Sequence, residues 1–425
     1  MVARYEQVCS TVKRVPVSLC VIAPRIASLI GVSAFLGLGY LFSVNRAGIK
    51  LRQILTAFAF QIGIAAFMLK TSIGVSLIGM LAGGVAKLYS FADIGARFVF
   101  GGLVDCGPWG VIVGIKLIIA IVFFGALTSL LFYLGVVQFF VRILAKLISP
   151  VLGTSGAETL CASANSMLGQ IESPMLVKNY LENMTDSEMF VVMVSGFSTL
   201  SAGIVAVYGS MGISLNHLLT ASIMSIPGAL LMSKIMFPED STPETAAGEL
   251  TSPKVSDASS VLDAFAGGAV EGMAISINIV AILLVFVGAV AMADSVIRWS
   301  TAFAIGKTIT LNSIFGAFFS GFAWLMGIPC GELFPAGALL GKKLVINEFI
   351  AYANVATAGL GERAVTIITY ALCGFANFSC VGIQIGGIGA LAPSQRGYLV
   401  KYGVLALGAG TLVNFLNAAI VGFLL

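Results

Sequence analysis

Charge is the property that this sequence most clearly lacks. Only 10% of its 425 residues are Asp, Glu, Lys or Arg, and the formal net charge is +4. Soluble globular domains carry about 25% charged residues, so a soluble fold is excluded. The 23 Lys and Arg residues are scattered and form no basic patch of the kind that nucleic acids bind. The composition therefore predicts a membrane-embedded chain with no nucleic acid partner.

Groups that enzymes and metal centres use are scarce as well. The chain has one histidine, His217, which we expect to be structural, and none of its seven cysteines forms a CxxC pair. It therefore lacks the ligands of a zinc site or a multi-histidine centre. HExxH, GxSxG and glycine-rich phosphate-binding motifs are absent, and no nucleophile–base pair stands out. We predict that the protein is not an enzyme and uses no cofactor.

Long apolar runs are what the sequence has in abundance. Apolar residues make up 58% of the chain, and a helix crosses the bilayer core with about 20 of them. Runs without Asp, Glu, Lys or Arg cover residues 26–44, 53–69, 117–141, 189–233, 272–293, 308–331, 364–395 and 402–425. Several of these runs are too long for one span and must contain two spans or a re-entrant segment. The lipid bilayer is therefore the predicted environment.

Three short motifs occur twice in the same order. They are 153–158 (GTSGAE), 169–172 (GQIE) and 196–203 (GFSTLSAG), followed by 327–332 (GIPCGE), 347–349 (NEF) and 374–381 (GFANFSCV). The separation from Glu158 to Glu172 is 14 residues, and that from Glu332 to Glu348 is 16. These matches predict an internal duplication. Repeats are common in secondary transporters, whose substrate sites lie where the repeats meet.

Helix-breaking residues suggest how each repeat is built. Pro174 and the small or hydroxyl residues of 196–203 interrupt apolar helices, which is tolerated at membrane depth only where backbone is buried or lines a cavity. We predict an all-α polytopic membrane protein in which each repeat holds a re-entrant hairpin, a broken helix and an intact helix. The predicted units are a tail (1–25), scaffold helices with an interfacial segment (26–141), a first repeat (142–236; hairpin 153–186, broken helix 187–209, helix 213–236), a polar loop (237–260), a scaffold helix and linker (261–310) and a second repeat (311–425; hairpin 327–360, broken helix 364–391, helix 397–425).

Polar residues inside apolar segments are the candidates for function. An ionisable residue at the bilayer centre costs about 2.5–3.5 kcal/mol on insertion scales, and Glu172 and Glu348 both stand at predicted hairpin tips. Each has a neighbouring amide, Gln170 or Asn347, which could bind a polyhydroxylated or heteroaromatic ligand. The alternative is that these carboxylates only tie the hairpins to nearby helices.

Other polar positions allow two interpretations each. Asn377 either faces the ligand or cross-links helices, and Phe375 beside it would be core packing if taken alone. Asn165, Thr199 and nearby freed carbonyls form an all-oxygen set that suits a hard monovalent cation. Glu158 and Glu332 are expected to act as caps.

With these motifs, the chain resembles the concentrative nucleoside transporter family. The residues that carry the resemblance are 169–174 (GQIESP), 347–352 (NEFIAY) and 373–379 (CGFANFS), and it extends from about residue 31 to the C-terminus. The resemblance implies a homotrimer, about eight transmembrane helices plus two re-entrant hairpins, and an inverted repeat. It also implies a scaffold domain and a transport domain that moves in an elevator-like manner, carrying a nucleoside with an ion.

The resemblance further implies roles for individual residues. Gln170 and Glu172 would bind the base with Ile171 beside it, and Glu348 and Asn377 would bind the ribose hydroxyls. The remaining implied positions are the apolar walls Ile204, Ile275 and Phe375, the ribose-side Cys380, and a sodium site of the Asn165 and Thr199 side chains with the Leu168 and Leu200 carbonyls. Two positions depart from the usual family residues. Ile171 stands where relatives often carry Thr or Ser, and Cys380 stands where they commonly carry Ser, and both departures affect base preference and affinity.

These observations predict a sodium-coupled symporter of uridine-like nucleosides. Two alternatives stay open: a proton-coupled transporter of the same fold, and a channel for small polar solutes. The short hairpins and small loops are typical of prokaryotic proteins, so we expect a multi-pass protein of the cell inner membrane.

Overall fold

The structure is a computed structural model that describes residues 23–105, 112–245, 258–306 and 308–425. Across these ranges it consists of α-helices joined by turns and short 3-10 segments, without a β-strand. The helices are α1 Pro24–Leu41, α2 Leu51–Lys70, α3 Ser72–Phe100, α4 Val113–Tyr133, α5 Val136–Leu152, α6 Gly156–Asn165, α7 Glu172–Met175, α8 Lys178–Leu181, α9 Asp186–Ser198, α10 Ala202–Ser210, α11 Leu215–Met236, α12 Val261–Ile305, α13 Leu311–Leu325, α14 Leu333–Val345, α15 Glu348–Ala353, α16 Glu362–Leu372, α17 Phe378–Leu391 and α18 Arg396–Leu424. The predicted tail up to residue 22 and residues 246–257 of the predicted polar loop lie outside the described residues.

Eight of these elements are long and apolar enough to cross a membrane, which confirms the predicted fold class. They are α1, α2, α3, α4, the α9–α10 pair, α11, α12 and α18. The search for uncharged runs missed α3 because Lys87, Asp93 and Arg97 interrupt it. Two of these charges have partners at a helix end or on a neighbour: Arg97 binds Asp105 with both nitrogens, at 2.7 and 2.9 Å, and Asp93 lies 3.7 Å from Lys116.

The order of helices repeats along the chain, as the motifs predicted. In the first series, α5 is followed by α6, a non-helical stretch, the short helices α7 and α8, the broken helix α9–α10 and the long helix α11. In the second series, α13 is followed by α14, a short non-helical stretch, the short helix α15, the broken helix α16–α17 and the long helix α18. The breaks separate α9 from α10 and α16 from α17. Gly135, with φ of 76°, turns the chain from α4 into α5. The predicted boundary between residues 141 and 142 falls inside α5.

Burial separates an inner group of helices from an outer one. α18 packs against α1, α9, α11, α16 and α17, and residues 187–198 of α9 are all buried. α12 is an outer helix that packs mainly on α4 and exposes large apolar side chains, among them Trp299 and Phe303. In a protein of this composition such side chains face lipid or another subunit.

Small residues bring α12 close to α4. Ala264, Gly268 and Gly272 recur every four residues, which places them on one face of α12. The Ser129 hydroxyl donates to the Ala264 carbonyl at 2.8 Å, and a Cβ at Gly268 would come within 2.5 Å of the Ser129 Cβ. This is the small-residue packing that lets membrane helices approach each other closely.

The contact predicts opposite effects for two neighbouring glycines. We expect Gly268→Ala to lower the apparent Tm, because overpacking at this interface costs about 1–3 kcal/mol. Gly267→Ala is the matched control, since a Cβ there meets nothing within 4 Å and alanine favours a helix more than glycine does. Thermal unfolding of both variants in detergent checks this. Equal melting of the two would contradict the described packing.

Candidate functional site

The two broken helices meet each other at their breaks. The Phe375 N–H donates to the Thr199 carbonyl at 3.3 Å. The Asn414 side-chain nitrogen donates to the carbonyls of Ser198 and Cys373, at 2.8 Å each. Backbone groups freed by a break must find partners when they are buried. One asparagine of α18 therefore ties both breaks together.

The carboxylate of Glu348 lies beside this junction and is 5% exposed. The Tyr208 hydroxyl donates to its Oε1 at 3.1 Å, and Asn377 Nδ2 donates to its Oε2 at 2.9 Å. Asn377 also caps α17, because its Oδ1 accepts from the Cys380 N–H at 3.0 Å. Glu348 is thus held by one residue from each broken helix. Asn377 does cross-link helices, one of the two roles that the sequence left open for it.

A buried lysine accompanies the carboxylate. Lys343 is 1% exposed, and its Nζ donates to the Ala371 carbonyl at 2.8 Å and to Asn414 Oδ1 at 2.6 Å. Lys343 and Glu348 are buried in the same region, where opposite charges can balance each other. The sequence analysis missed Lys343 and Tyr208. The insertion-cost argument applied to Glu348 would have found Lys343, whereas Tyr208 gives no local signal.

A second polar group forms at residues 169–172, in the stretch that leads from α6 into α7. Gln170 is 9% exposed, and its Oε1 accepts from Gln384 Nε2 at 3.2 Å. Gln384 Nε2 also donates to the Met193 carbonyl at 3.1 Å. The Cys380 thiol lies near the Gln170 side chain. Gln384 was also missed, although a lone amide in the apolar helix α17 is the same signal as Asn377.

The other predicted base-side residues lie in this stretch. The half-buried Glu172 carboxylate lies over Gly169, where a Cβ would overlap it, and it interacts electrostatically with Glu271 of α12. Ile171 packs against Gly387 of α17. The structure therefore brings this end of the first hairpin segment against the second broken helix.

Three apolar residues predicted as walls lie at different depths. Ile204, near the start of α10, and Phe375, in the second break, are half-buried and packed against the core. Ile275 is 38% exposed and stands one helical turn after Glu271 on α12. Ile275 therefore has the most exposed side chain of the predicted site residues.

The predicted sodium ligands surround the first break. Asn165 ends α6, is fully buried and donates from Nδ2 to the Ser195 hydroxyl at 2.8 Å, but its Oδ1 has no hydrogen-bond partner among the described residues. Thr199 Oγ1 donates to the Ser195 carbonyl at 2.8 Å, which leaves its lone pairs available. Within the described ranges, the carbonyls of Leu168 and Leu200 accept no backbone hydrogen bond. Buried oxygens with free lone pairs fit a hard cation such as sodium.

Other ionisable groups have structural roles. Glu158 completes a capping box at the start of α6, in line with its expected role as a cap. Glu332 makes no side-chain cap on α14, the helix that follows it, and instead accepts from the Gly361 N–H at 2.9 Å. His217 Nδ1 lies 3.3 Å from the Tyr370 hydroxyl. Among the residues that the structure describes, no cluster of three or more His, Cys, Asp or Glu side chains could hold a metal ion.

Family comparisons cover almost the whole chain. Residues 30–103 match the Na+ dependent nucleoside transporter N-terminus and residues 217–422 match the Na+ dependent nucleoside transporter C-terminus. Residues 114–215 match the nucleoside recognition (Gate) model. The matched segments include both broken helices and the polar groups between them.

Similar proteins and solved structures match this chain over nearly its whole length. The chain is 38% identical to an uncharacterized transporter of Haemophilus influenzae, over 93% of this chain and 97% of that protein. It is 34% identical to the nucleoside permease NupC of Helicobacter pylori, over 93% and 96% of the two chains. The structure of CNTnw in an inward-facing substrate-bound state aligns with a TM-score of 0.89 at 34% identity, over 94% and 97%.

Proposed function

The chain belongs to the Na+-dependent nucleoside transporter family, and from that premise we propose that it is a sodium-coupled symporter of uridine-like nucleosides. The observation that carries the proposal is the buried carboxylate of Glu348 at the junction of two broken helices. Such a junction is where secondary transporters of duplicated structure bind their substrates.

The proposed ribose site consists of Glu348 and Asn377, with Cys380 beside them. Each carboxylate oxygen accepts one bond from the protein and keeps a further lone pair. Two ribose hydroxyls can therefore donate to it, and hydrogen bonds to a charged group contribute about 1.5–3 kcal/mol each. Phe375, Ile204 and Ile275 would form the apolar walls.

The proposed base site consists of Gln170, Ile171 and Glu172. Gln170 and Ile171 contact α17, which supports this role, because the same helix is capped by the proposed ribose ligand Asn377. One nucleoside could then reach from the start of α17 to the hairpin tip. A base would meet an amide and a carboxylate there, which together can match its polar edge.

The proposed sodium site consists of Asn165 and Thr199 with the Leu168 and Leu200 carbonyls. The Thr199 carbonyl accepts the Phe375 N–H, so the first break is in contact with the second. An ion that orders the first break would stabilise the backbone that carries the ribose site. By linkage, nucleoside binding would strengthen sodium binding equally.

Replacing Asn165 tests the sodium site. We expect Asn165→Ala to raise the sodium concentration needed for half-maximal uridine uptake by about 10-fold or more. The reason is that the variant loses one ligand of the ion, an interaction comparable to a hydrogen bond to a charged group, of about 1.5 kcal/mol. Asn183→Ala, an exposed asparagine in the same half, is the matched control. Initial uptake rates are measured over a range of sodium concentrations at constant ionic strength. Equal sodium dependence of both variants would exclude Asn165 as a ligand.

We also propose the domain division and assembly that the family resemblance implies. Residues 26–141 and 261–310 would form the scaffold of a homotrimer, and the repeats 142–236 and 311–425 would supply the moving transport domain with hairpins 153–186 and 327–360. The exposed apolar face of α12 supports a place for it in the scaffold, against lipid or another protomer. The inner membrane is the proposed location.

Labelled uridine uptake into proteoliposomes tests the function as a whole. The purified chain is given an inward sodium gradient, an inward proton gradient or neither. Accumulation driven by sodium alone supports the proposal, whereas accumulation driven by protons would replace sodium as the coupling ion. Equilibration without accumulation under both gradients would indicate a channel. No uptake of any nucleoside by folded protein would overturn the substrate class.

A further inference from the structure

Gln384 occupies a position between the two repeats that the proposed binding site does not use. It lies on α17 of the second repeat, is fully buried, and contacts two parts of the first repeat. Its Nε2 donates to Gln170 Oε1 at 3.2 Å and to the Met193 carbonyl at 3.1 Å. Its own Oε1 is buried and has no partner among the described residues.

The Met193 carbonyl fixes which way the Gln384 amide points. A backbone carbonyl can only accept, so the group that faces it must be the Gln384 NH₂. The opposite orientation would set two oxygens against each other. Since the same NH₂ reaches Gln170, the Gln170 end that faces it must be an acceptor. The orientation of both amides therefore follows from one backbone group.

This arrangement turns the Gln170 oxygen towards Gln384 and its NH₂ group the other way. Its Oε1 accepts from Gln384 Nε2, so the end of the amide that faces away from Gln384 is Nε2 with its two N–H groups. The nearby Cys380 thiol is only a weak acceptor, so an acceptor on a ligand would be a stronger partner for these N–H groups. At the hairpin tip, Gln170 is thus held as a hydrogen-bond donor.

We propose that Gln384 is a positioning residue that sets base selectivity through Gln170. The proposal rests on the proposed function, in which Gln170 meets the base. A donor held opposite C4 of a pyrimidine or C6 of a purine favours nucleobases with a carbonyl oxygen at that position, such as uracil and hypoxanthine. It disfavours cytosine and adenine, which present an amino group at the corresponding position, because a donor facing a donor leaves both buried groups unpaired.

A glycine on α9 makes the contact between the two glutamines possible. A Cβ at Gly196 would come 2.6 Å from Gln384 Nε2 and 3.1 Å from the Gln170 Cβ. Any side chain there would push Gln384 away from Gln170. Gly196→Ala therefore disturbs the same contact from another element, and alanine is favoured over glycine in the helix interior.

The test compares pairs of nucleosides whose bases differ in one group, a carbonyl oxygen in one member and an amino group in the other. The ratio of kcat/KM for uridine to that for cytidine is measured in proteoliposomes, with inosine and adenosine as a second pair of competitors. The unmodified protein should prefer the oxo member. In Gln384→Met, which keeps the length of the side chain but cannot donate, the Gln170 amide can rotate and accept. We expect the uridine-to-cytidine ratio to fall about 3- to 10-fold, the size of one neutral hydrogen bond.

A second readout separates positioning from general damage. The ratio of uridine to 3′-deoxyuridine reports on the ribose end and should stay unchanged in Gln384→Met, because Glu348 and Asn377 are untouched. A loss of fit throughout the site would move both ratios and overturn the proposal. Gly196→Ala should lower the uridine-to-cytidine ratio in the same direction, and it decides the question if Gln384→Met does not fold.

The outcomes also separate this inference from the proposed function. An unmodified protein that carries no nucleoside refutes both. An unmodified protein that prefers cytidine to uridine, or variants that transport with an unchanged uridine-to-cytidine ratio, refute only the role of Gln384.

Discussion

Glu348→Gln is expected to reduce uridine uptake by at least about 100-fold, because two charge-assisted hydrogen bonds of about 1.5–3 kcal/mol each are weakened. The neutral amide would also set its NH₂ against one of the two donors that hold the carboxylate, Tyr208 or Asn377. Lys343 would lose its balancing charge in the same buried region. Initial uptake per folded protein in proteoliposomes measures the effect.

Two further variants make the result specific. Glu362→Gln makes the same chemical change at an exposed position in the same half of the chain and should transport normally. Asn377→Ala removes the partner of Glu348 Oε2 and should also abolish uptake. Size-exclusion chromatography and thermal unfolding show whether each variant is folded. Normal uptake by both Glu348→Gln and Asn377→Ala would refute the ribose site.

Lys234→Met is expected to cause the largest loss of stability. Lys234 is 3% exposed and lies 2.7 Å from Glu158 Oε2 and 3.3 Å from Glu239 Oε2. Glu188 joins the group through Ser155, whose hydroxyl donates to it at 2.5 Å. Removing the one cation leaves buried carboxylates unbalanced, and breaking a buried pair in this way costs about 3–5 kcal/mol.

Thermal unfolding in detergent at neutral pH measures that loss. Lys401→Met, at an exposed lysine of α18, is the matched control and should melt like the unmodified protein. The double variant Lys234→Met with Glu158→Gln should melt higher than Lys234→Met alone, because it removes one of the stranded charges; a double-mutant cycle gives the coupling between the two residues. A Lys234→Met protein that melts like the control would show that the cluster contributes little.

The sequence by itself determined the fold class and the repeated order of elements. These features are encoded locally: apolar runs have the length of a bilayer crossing, hydroxyl residues stand in the first helix break (199–201), and a glycine stands in the second (373–377). The two breaks fall within the predicted ranges 187–209 and 364–391 for that reason. Helix α3 was missed because Lys87, Asp93 and Arg97 interrupt its apolar run, and a search for uncharged runs does not consider that Asp93 and Arg97 have partners.

Only the tertiary structure decided which polar residues meet. Tyr208 and Glu348 are 140 residues apart in the sequence, and Gln170 and Gln384 are 214 residues apart. No periodicity or spacing encodes such pairs, because they depend on how the two repeats pack. The same packing brings Lys343 to the Asn414 that ties the breaks together. A polar residue in an apolar segment can be recognised in the sequence as one that needs a hydrogen-bond partner. Which residue becomes that partner depends on the tertiary packing.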